Sequence, residues 1–449
     1  MEGFMSGLFG ISVEKDKEES INGDFFWGTF YQQHLGEEYS GISILNRSGE
    51  FIDCVHKGHF RTAFSRDEKI WKNNPLEAIG YCGPAPEPLY TDSKQGEFSL
   101  CFSGNIINIA ELKQHFKERG QSFVRGDEAE LLSKFIAGES NFCAGLYRIM
   151  NEVKGSFSVL LLTKEGIYAF SDGRWPLLLG KKNGKIVVAT STAGFANLEI
   201  ESTENIGGKM LLLKNGGVEQ EYNISESPIC SFMWVYTAFP ADIIEGVPAS
   251  TVRKKLGSVL ARKDIFMGFT PDLVIPVPDS GRFHAIGYHQ EFIRQASNGK
   301  ISKIPEYDEV LLKYPYAGRS FTPQNQEIRE LEALIKLIRS GEMYKGKTAV
   351  VVDDSIVRGT QARSNLVPKL RSLQLKEVHM RVGNPELISY CPWGKTTKQG
   401  ELIANIMNMH ERREYLDLDS LIYNSVNDLL DCLRESGIEK EVCMDCSRK

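Results

Sequence analysis

The chain has 449 residues, enough for two or three domains at about 100–200 residues each. Hydrophobic residues make up 41% and charged residues 25%, the balance of a globular protein with a sizeable core. Lys and Arg total 53 against 59 Asp and Glu, a net charge of −6, which argues against nucleic-acid binding through a broad basic surface. No stretch reaches the roughly 18 consecutive apolar residues that span a bilayer, so no membrane partner is expected. The opening Met-Glu-Gly-Phe-Met-Ser-Gly lacks a basic region followed by an apolar core, so a secretory signal is not expected. Nine cysteines, an odd number, then read as reduced thiols in a cytoplasm.

Along the first two hundred residues, short apolar runs such as 157–162 and 185–190 alternate with Gly, Asn and Asp clusters. This predicts layered antiparallel sheets covered by helices, one of them over 128–136. The pattern shifts around 215–219. From Val247 onward, helical segments alternate with isolated apolar strands ending in Pro, Asp, Ser or Gly, the rhythm of a parallel sheet. After about residue 405 the chain reads as helical and charged, and it ends in a Cys-x-x-Cys pair at Cys443 and Cys446.

The strongest local signal is the apolar run 348–352 followed by Asp353, Asp354, Ser355, Ile356, Val357, Arg358, Gly359 and Thr360. A run of this kind fits a strand buried on both faces, and ligands in open α/β folds bind at the carboxyl ends of such strands. Small and hydroxyl residues then lead into a helix predicted over 361–373, where backbone amides can hold a phosphate. Acids beside a phosphate cradle suit ribose hydroxyls or a hydrated Mg²⁺. The alternative is an acidic N-cap at an ordinary strand–helix turn. A second turn, Val277-Pro278-Asp279-Ser280-Gly281, has the same form, although Pro-Asp-Ser-Gly is also a common turn composition. A third segment, 313–323, carries Lys313 and Arg319 among three aromatics and suits either a lid over an anion or a solvated loop.

The segment from Val351 to Thr360 resembles the phosphoribosyl pyrophosphate signature of type I phosphoribosyltransferases. Its form is similar to that of the amidophosphoribosyltransferase family, which opens purine synthesis. Residues 274–281 resemble that family's pyrophosphate loop and 313–321 its lid; further matches lie at 230–236, 287–288 and 418–423. The resemblance implies an α+β N-terminal-nucleophile domain of layered αββα form over 1–228. An α/β type I phosphoribosyltransferase domain would follow over 229–404, then a helical C-terminal segment over 405–449. It further implies that Asp353 and Asp354 hold the ribose hydroxyls and the Mg²⁺ water shell, with Ser280 near the metal. Ser355 to Thr360 would cradle the 5′-phosphate, Asp279 to Gly281 would meet the pyrophosphate, and Lys313 and Arg319 would close over it. A nucleotide effector and a homo-oligomer, dimer or tetramer, are expected on the same ground.

The glutaminase half departs from the family pattern. Ser6 stands where the family has its nucleophilic cysteine, and Gly80-Tyr81-Cys82-Gly83-Pro84 replaces Gly-His-x-Arg-Tyr. The arginine that would grip the glutamine carboxylate is therefore absent. Phe102-Ser103-Gly104 replaces His-Asn-Gly, removing the asparagine of the oxyanion hole. Nucleophile, clamp and oxyanion donor change together, so glutamine hydrolysis is expected to be lost and ammonia or another amine to serve as nucleophile. In the other half the family's Ala-Arg-Pro-Asp-Ser appears as Ala238-Phe239-Pro240-Ala241-Asp242. That change and the altered lid motivate one alternative, another acceptor in a specialised pathway; a second alternative is a non-catalytic phosphoribosyl pyrophosphate or nucleotide binder. Finally, Cys230, Cys391, Cys443 and Cys446 match the iron–sulfur subset of the family, implying a [4Fe–4S] cluster. Four thiolates also suit structural zinc.

Overall fold

The computed structural model describes residues 5–448 except 17–19, 66–67, 73–74, 225, 315–336, 340–342 and 395–398. Arg319 and most of the lid segment lie outside the described residues.

Two antiparallel sheets form the N-terminal half. The first has seven strands, ordered Glu201–Asn205, Leu178–Lys182, Lys185–Ala189, Gly7–Val13, Pro75–Gly83, Tyr39–Asn46 and Phe51–Lys57. The second has six, ordered Gly217–Asn223, Lys209–Lys214, Gly166–Ser171, Gly155–Thr163, Gly96–Ile106 and Leu89–Ser93. Successive side chains on a strand face opposite ways, so Gly7–Val13 divides its apolar residues between two cores. Leu8 joins Ile79, Leu160, Leu162 and Val188 between the sheets, while Phe9, Ile11 and Val13 meet Phe25, Phe60 and Phe64 on the outer face. Helices Glu128–Gly138 and Phe142–Glu152 cover the second sheet with Leu131, Leu132, Phe135 and Leu146.

The second half is built on five parallel strands, in the order Glu306–Tyr307, Leu273–Pro276, Thr348–Asp353, Glu377–Val382 and Ser420–Tyr423. In the central strand, Val350 and Val352 pack on Leu260, Tyr288 and Phe292, and Ala349 and Val351 pack on Leu366, Leu370 and Leu416. Both faces are covered, which explains the unbroken apolar run. Helices Ala249–Phe266 and Arg282–Ser297 cross so closely that a Cβ at Gly257 or Gly287 would overlap the backbone carbonyl of His284 or Lys254. Among the described residues no helix is long and apolar enough to cross a membrane.

Two sequence expectations are refined. The helix predicted over 361–373 is present and runs continuously over 360–371, but it contains a wide five-residue turn, Ala362–Leu366, ahead of Val367–Arg371. Pro368 is the cause: it has no amide hydrogen and its ring crowds the carbonyl four residues earlier. The segment after 405 is helical at Met409–Tyr415 and Val426–Arg434, but it also supplies the edge strand Ser420–Tyr423. It thus completes the parallel sheet.

Candidate active site

The acidic turn sits at the carboxyl end of the central parallel strand. Asp354 is buried and Asp353 half-buried. Ser280, from the turn after the neighbouring strand, donates its hydroxyl to Asp353 Oδ1 at 2.8 Å, and Ser355 donates to Asp354 Oδ2 at 2.6 Å. The amide of Asp354 also donates to Asp353 Oδ1, at 2.9 Å. Burial first, then the like charge of Asp354, pushes the Asp353 carboxyl well above the usual carboxylate range. Burial raises Asp354 as well, partly offset by its bonds to Ser355, Asp353 and Ser280 and by the charge of Arg253.

The two turns meet through their backbones. Val277 donates its amide to the Val352 carbonyl at 2.9 Å, and a Cβ at Gly281 would run into that same carbonyl, so only glycine fits there. Asp279 stands exposed at the mouth, where Lys313 Nζ reaches its Oδ2 at 3.1 Å and Arg282 its Oδ1 at 3.3 Å. The structure therefore brings Asp279, Ser280, Gly281, Lys313, Asp353 and Asp354 to one end of the sheet.

Beyond Asp354 the chain wraps into the helix that starts near Thr360. Among the described residues, the amides of Ser355 to Gly359 donate to no protein acceptor. Gly359 adopts φ +74°, the left-handed region glycine tolerates, and Ile403 Cδ1 would lie 2.7 Å from a Cβ there. Ile356 is buried in the core, the Val357 carbonyl accepts from Ile403 N at 2.9 Å, and Arg358 points outward to Glu401 at 2.6 Å. The loop is braced from below, and its backbone amides are left without protein acceptors, as a phosphate-binding turn requires.

The residues around Ser6 form a different kind of site. Ser6 is buried, its peptide nitrogen donates to Ser103 Oγ at 2.8 Å, and its hydroxyl donates to Tyr81 OH at 3.2 Å. Tyr81 also accepts from the Ala85 amide at 3.2 Å, and burial, reinforced by the buried Glu87, holds its phenol far above its ordinary titration. A side chain at position 83 would meet Tyr81 OH in overlap and Ser6 Oγ at 2.6 Å. Tyr81 and Ser6 thus fill the space from which a position-83 arginine would extend. The sequence showed the loss of the arginine but not that a tyrosine had closed the gap.

Three segments carry Cys230, Cys391, Cys443 and Cys446 into one neighbourhood. Ile229–Cys230 pairs in parallel with Val442–Cys443, Cys230 opposite Cys443, and the amides of Ile388 and Ser389 donate to the Cys446 carbonyl. Burial raises the Cys230 thiol, and Cys446, Cys443 and Cys391 raise it further. All nine cysteines are free thiols. Arg174 lies 3.8 Å from the ring centre of Trp393, whose indole donates to Asp445 at 2.8 Å. Among the described residues, no group of three or more His, Cys, Asp or Glu is placed to hold a metal ion.

Comparison with known proteins places these features in context. A family profile described as a glutamine amidotransferase domain matches residues 83–197. The amidophosphoribosyltransferase of Methanothermobacter thermautotrophicus is 30% identical over 98% of this chain and 93% of its own length. That of Archaeoglobus fulgidus is 32% identical over 94% of this chain and 92% of its own. Among solved structures, the glutamine phosphoribosylpyrophosphate amidotransferase from B. subtilis, complexed with ADP and GMP, superposes with a TM-score of 0.83. Its sequence is 28% identical, and the match covers 98% of this chain and 95% of that one.

Proposed function

Because the chain belongs to the amidophosphoribosyltransferase family, we propose that it transfers the 5-phosphoribosyl group of phosphoribosyl pyrophosphate to ammonia or another amine, without hydrolysing glutamine. The observation that carries the transfer is the paired acids Asp353 and Asp354, held by Ser280 at the carboxyl end of the central parallel strand. The amine nitrogen attacks the anomeric carbon, the bond from that carbon to the pyrophosphate oxygen breaks, and its electron pair leaves with pyrophosphate. The attacking nitrogen then gives up a proton. Asp353 and Asp354 hold the ribose hydroxyls, the amides after Asp354 hold the 5′-phosphate, and Lys313 faces the pyrophosphate; Arg319, assigned to the same role from sequence, lies outside the described residues. Catalysis is chiefly positioning and electrostatics.

The donor set fits Mg²⁺. Two carboxylates and a serine hydroxyl are hard oxygen ligands, and Mg²⁺ usually takes only one or two carboxylates, leaving other positions to phosphates and water. When bound, it would neutralise charge on the departing pyrophosphate. A nucleotide effector is proposed by analogy with the B. subtilis protein, which was solved with ADP and GMP.

The loss of glutaminase activity is supported by Ser6, Tyr81 and Gly83 together. While residues 1–5 remain attached the Ser6 nitrogen is a peptide amide and no base, and the carboxylate clamp has neither its arginine nor room for one. The test is direct. With Mg²⁺ and phosphoribosyl pyrophosphate, ammonium chloride should release pyrophosphate, whereas glutamine should yield neither pyrophosphate nor glutamate. Turnover with glutamine would restore an ordinary amidotransferase. Tight binding without turnover under either condition would favour the non-catalytic binder, and turnover with neither ammonia nor glutamine, but with another amine, the specialised acceptor.

For Cys230, Cys391, Cys443 and Cys446 we propose a [4Fe–4S] cluster, with structural zinc as the alternative. Its support is that Cys230 lies opposite Cys443 and that Cys391 and Cys446 are close enough to act on the Cys230 thiol, although no three of these side chains are placed to hold a metal ion among the described residues. Bound there, the cluster would be a staple. Protein purified without oxygen should carry about four irons and four sulfides per chain. Cys446→Ser should lower the melting temperature and loosen residues 435–448 to proteolysis. One zinc and no iron would replace the cluster; no metal at all would reject the site.

A further inference from the structure

Helix Ala249–Phe266 turns a buried stripe of Ala249, Val252, Leu256 and Leu260 inward, and Arg253 lies on that stripe, only 3% exposed. Its guanidinium donates to three backbone carbonyls of the segment that joins the two halves: Trp234 at 3.0 Å, Tyr236 at 2.9 Å and Ala238 at 2.6 Å. That segment contains a wide turn of helix, Met233–Thr237, which leaves carbonyls for side chains to satisfy. A fourth carbonyl, that of Val235, meets the buried His284 ring at 3.2 Å. Among the described residues, no carboxylate oxygen lies in ion-pair contact with Arg253.

A buried cation without a contacting anion costs several kcal/mol, and an apolar side chain of equal length often serves packing better. The charge therefore calls for a reason. Burial lowers the Arg253 titration, and two buried acids, Asp354 of the acidic turn and Asp242 at the end of the joining segment, offset part of that by favouring its charged form. Asp242 ties this segment to the N-terminal half: its Oδ1 accepts from Ser191 Oγ at 2.6 Å, while its Oδ2 accepts from the Phe239 amide of the segment itself at 2.7 Å. On the other side, the His284 ring packs against Gly383, and the amides of Gly383 and Asn384 donate to the Asp353 and Asp354 carbonyls at 2.9 and 2.7 Å. Arg253 thus stands between the joining segment and the acidic turn, with contacts or charge toward each.

We propose that Arg253 is a positioning residue for the transfer: it pins the joining segment beneath the acidic turn, and its charge holds the Asp354 carboxylate in place for the ribose hydroxyls. The inference rests on the phosphoribosyl transfer proposed above. It predicts a defect in substrate capture, distinct from a loss of folded protein. A purely structural role would lower the melting temperature and the fraction of active enzyme, reducing apparent kcat while leaving KM for phosphoribosyl pyrophosphate unchanged.

The experiment measures steady-state kinetics and melting temperature for the full chain, with ammonium chloride as the amine donor. Arg253→Met, which keeps the length and removes the charge, should raise KM for phosphoribosyl pyrophosphate at least tenfold while kcat changes less than threefold. Arg253→Lys, which keeps the charge but not the three-way fork, should raise it about threefold. KM within twofold of the parent in both variants would overturn the inference. If Arg253→Met does not fold, Arg253→Lys alone decides by the same criterion. If the parent shows no turnover, the rise in melting temperature given by Mg²⁺ and phosphoribosyl pyrophosphate replaces KM: a rise lost in the variants supports the assignment, and an equal rise overturns it. No turnover and no binding by the parent would instead remove the transferase reading on which the assignment rests.

Discussion

Asp354→Asn should lower pyrophosphate release about a hundredfold to a thousandfold, the scale of losing one group aimed at the reacting centre. The same variant should be more stable than the parent when no ligand is bound. Asp353 and Asp354 share a buried turn, and both carboxyls sit above their ordinary 3.8 in the folded chain. The folded state thus holds protons that the unfolded state has released, so its stability falls as pH rises from about 4 through the folded-state titrations. The asparagine should flatten that slope, so its stability advantage over the parent should grow as pH rises. Thermal unfolding between pH 4.5 and 8.5, without Mg²⁺, measures both effects. Equal slopes for parent and variant would contradict this account of the turn.

The second large effect concerns rebuilding glutamine hydrolysis. Removing residues 1–5 and making Ser6→Cys should leave glutaminase activity at background, because the substrate carboxylate still lacks its clamp. Adding Gly83→Arg should still fail and should also destabilise the fold, since the new Cβ overlaps the Tyr81 hydroxyl and crowds position 6. Tyr81→His, which shortens that side chain, should be needed before the arginine is tolerated. Glutamate release and melting temperature, measured along this series, separate the two causes of failure. Activity from Ser6→Cys alone would mean that another group binds the carboxylate.

The acidic turn was legible in the sequence because each of its parts leaves a local signature: an apolar run buried on both faces, adjacent acids, hydroxyl residues and a left-handed glycine. The antiparallel half was legible from short apolar runs between turn residues. The edge strand Ser420–Tyr423 was not. Its four residues lie among charged helices, and only pairing with Glu377–Val382 makes them a strand. The wide turn within the helix that follows the acidic turn has its signal in Pro368, which lacks the amide hydrogen a regular turn needs. Tyr81 filling the place of an arginine depends on packing between separate strands, which no spacing rule reports. Arg253 did leave a trace, as a charge on the apolar stripe of a long helix, but its carbonyl partners come from the joining segment.

The parallel pairing of Ile229–Cys230 with Val442–Cys443 bears on how the protein is made. Translation runs from the first residue, so the two antiparallel sheets can close while the rest is still being synthesised. The parallel sheet cannot: its edge strand Ser420–Tyr423 leaves the ribosome late, and the partner of Cys230 leaves later still. Closing a loop of about two hundred residues costs only slightly more than closing one of half that length, because the entropy grows with the logarithm of loop length. The delay is what matters. Until the final segment emerges, the hydrophobic residues around Trp234 lack Leu429, Leu433 and Met444, which complete their burial. A nascent chain stalled before residue 420 should therefore expose that surface and recruit chaperones.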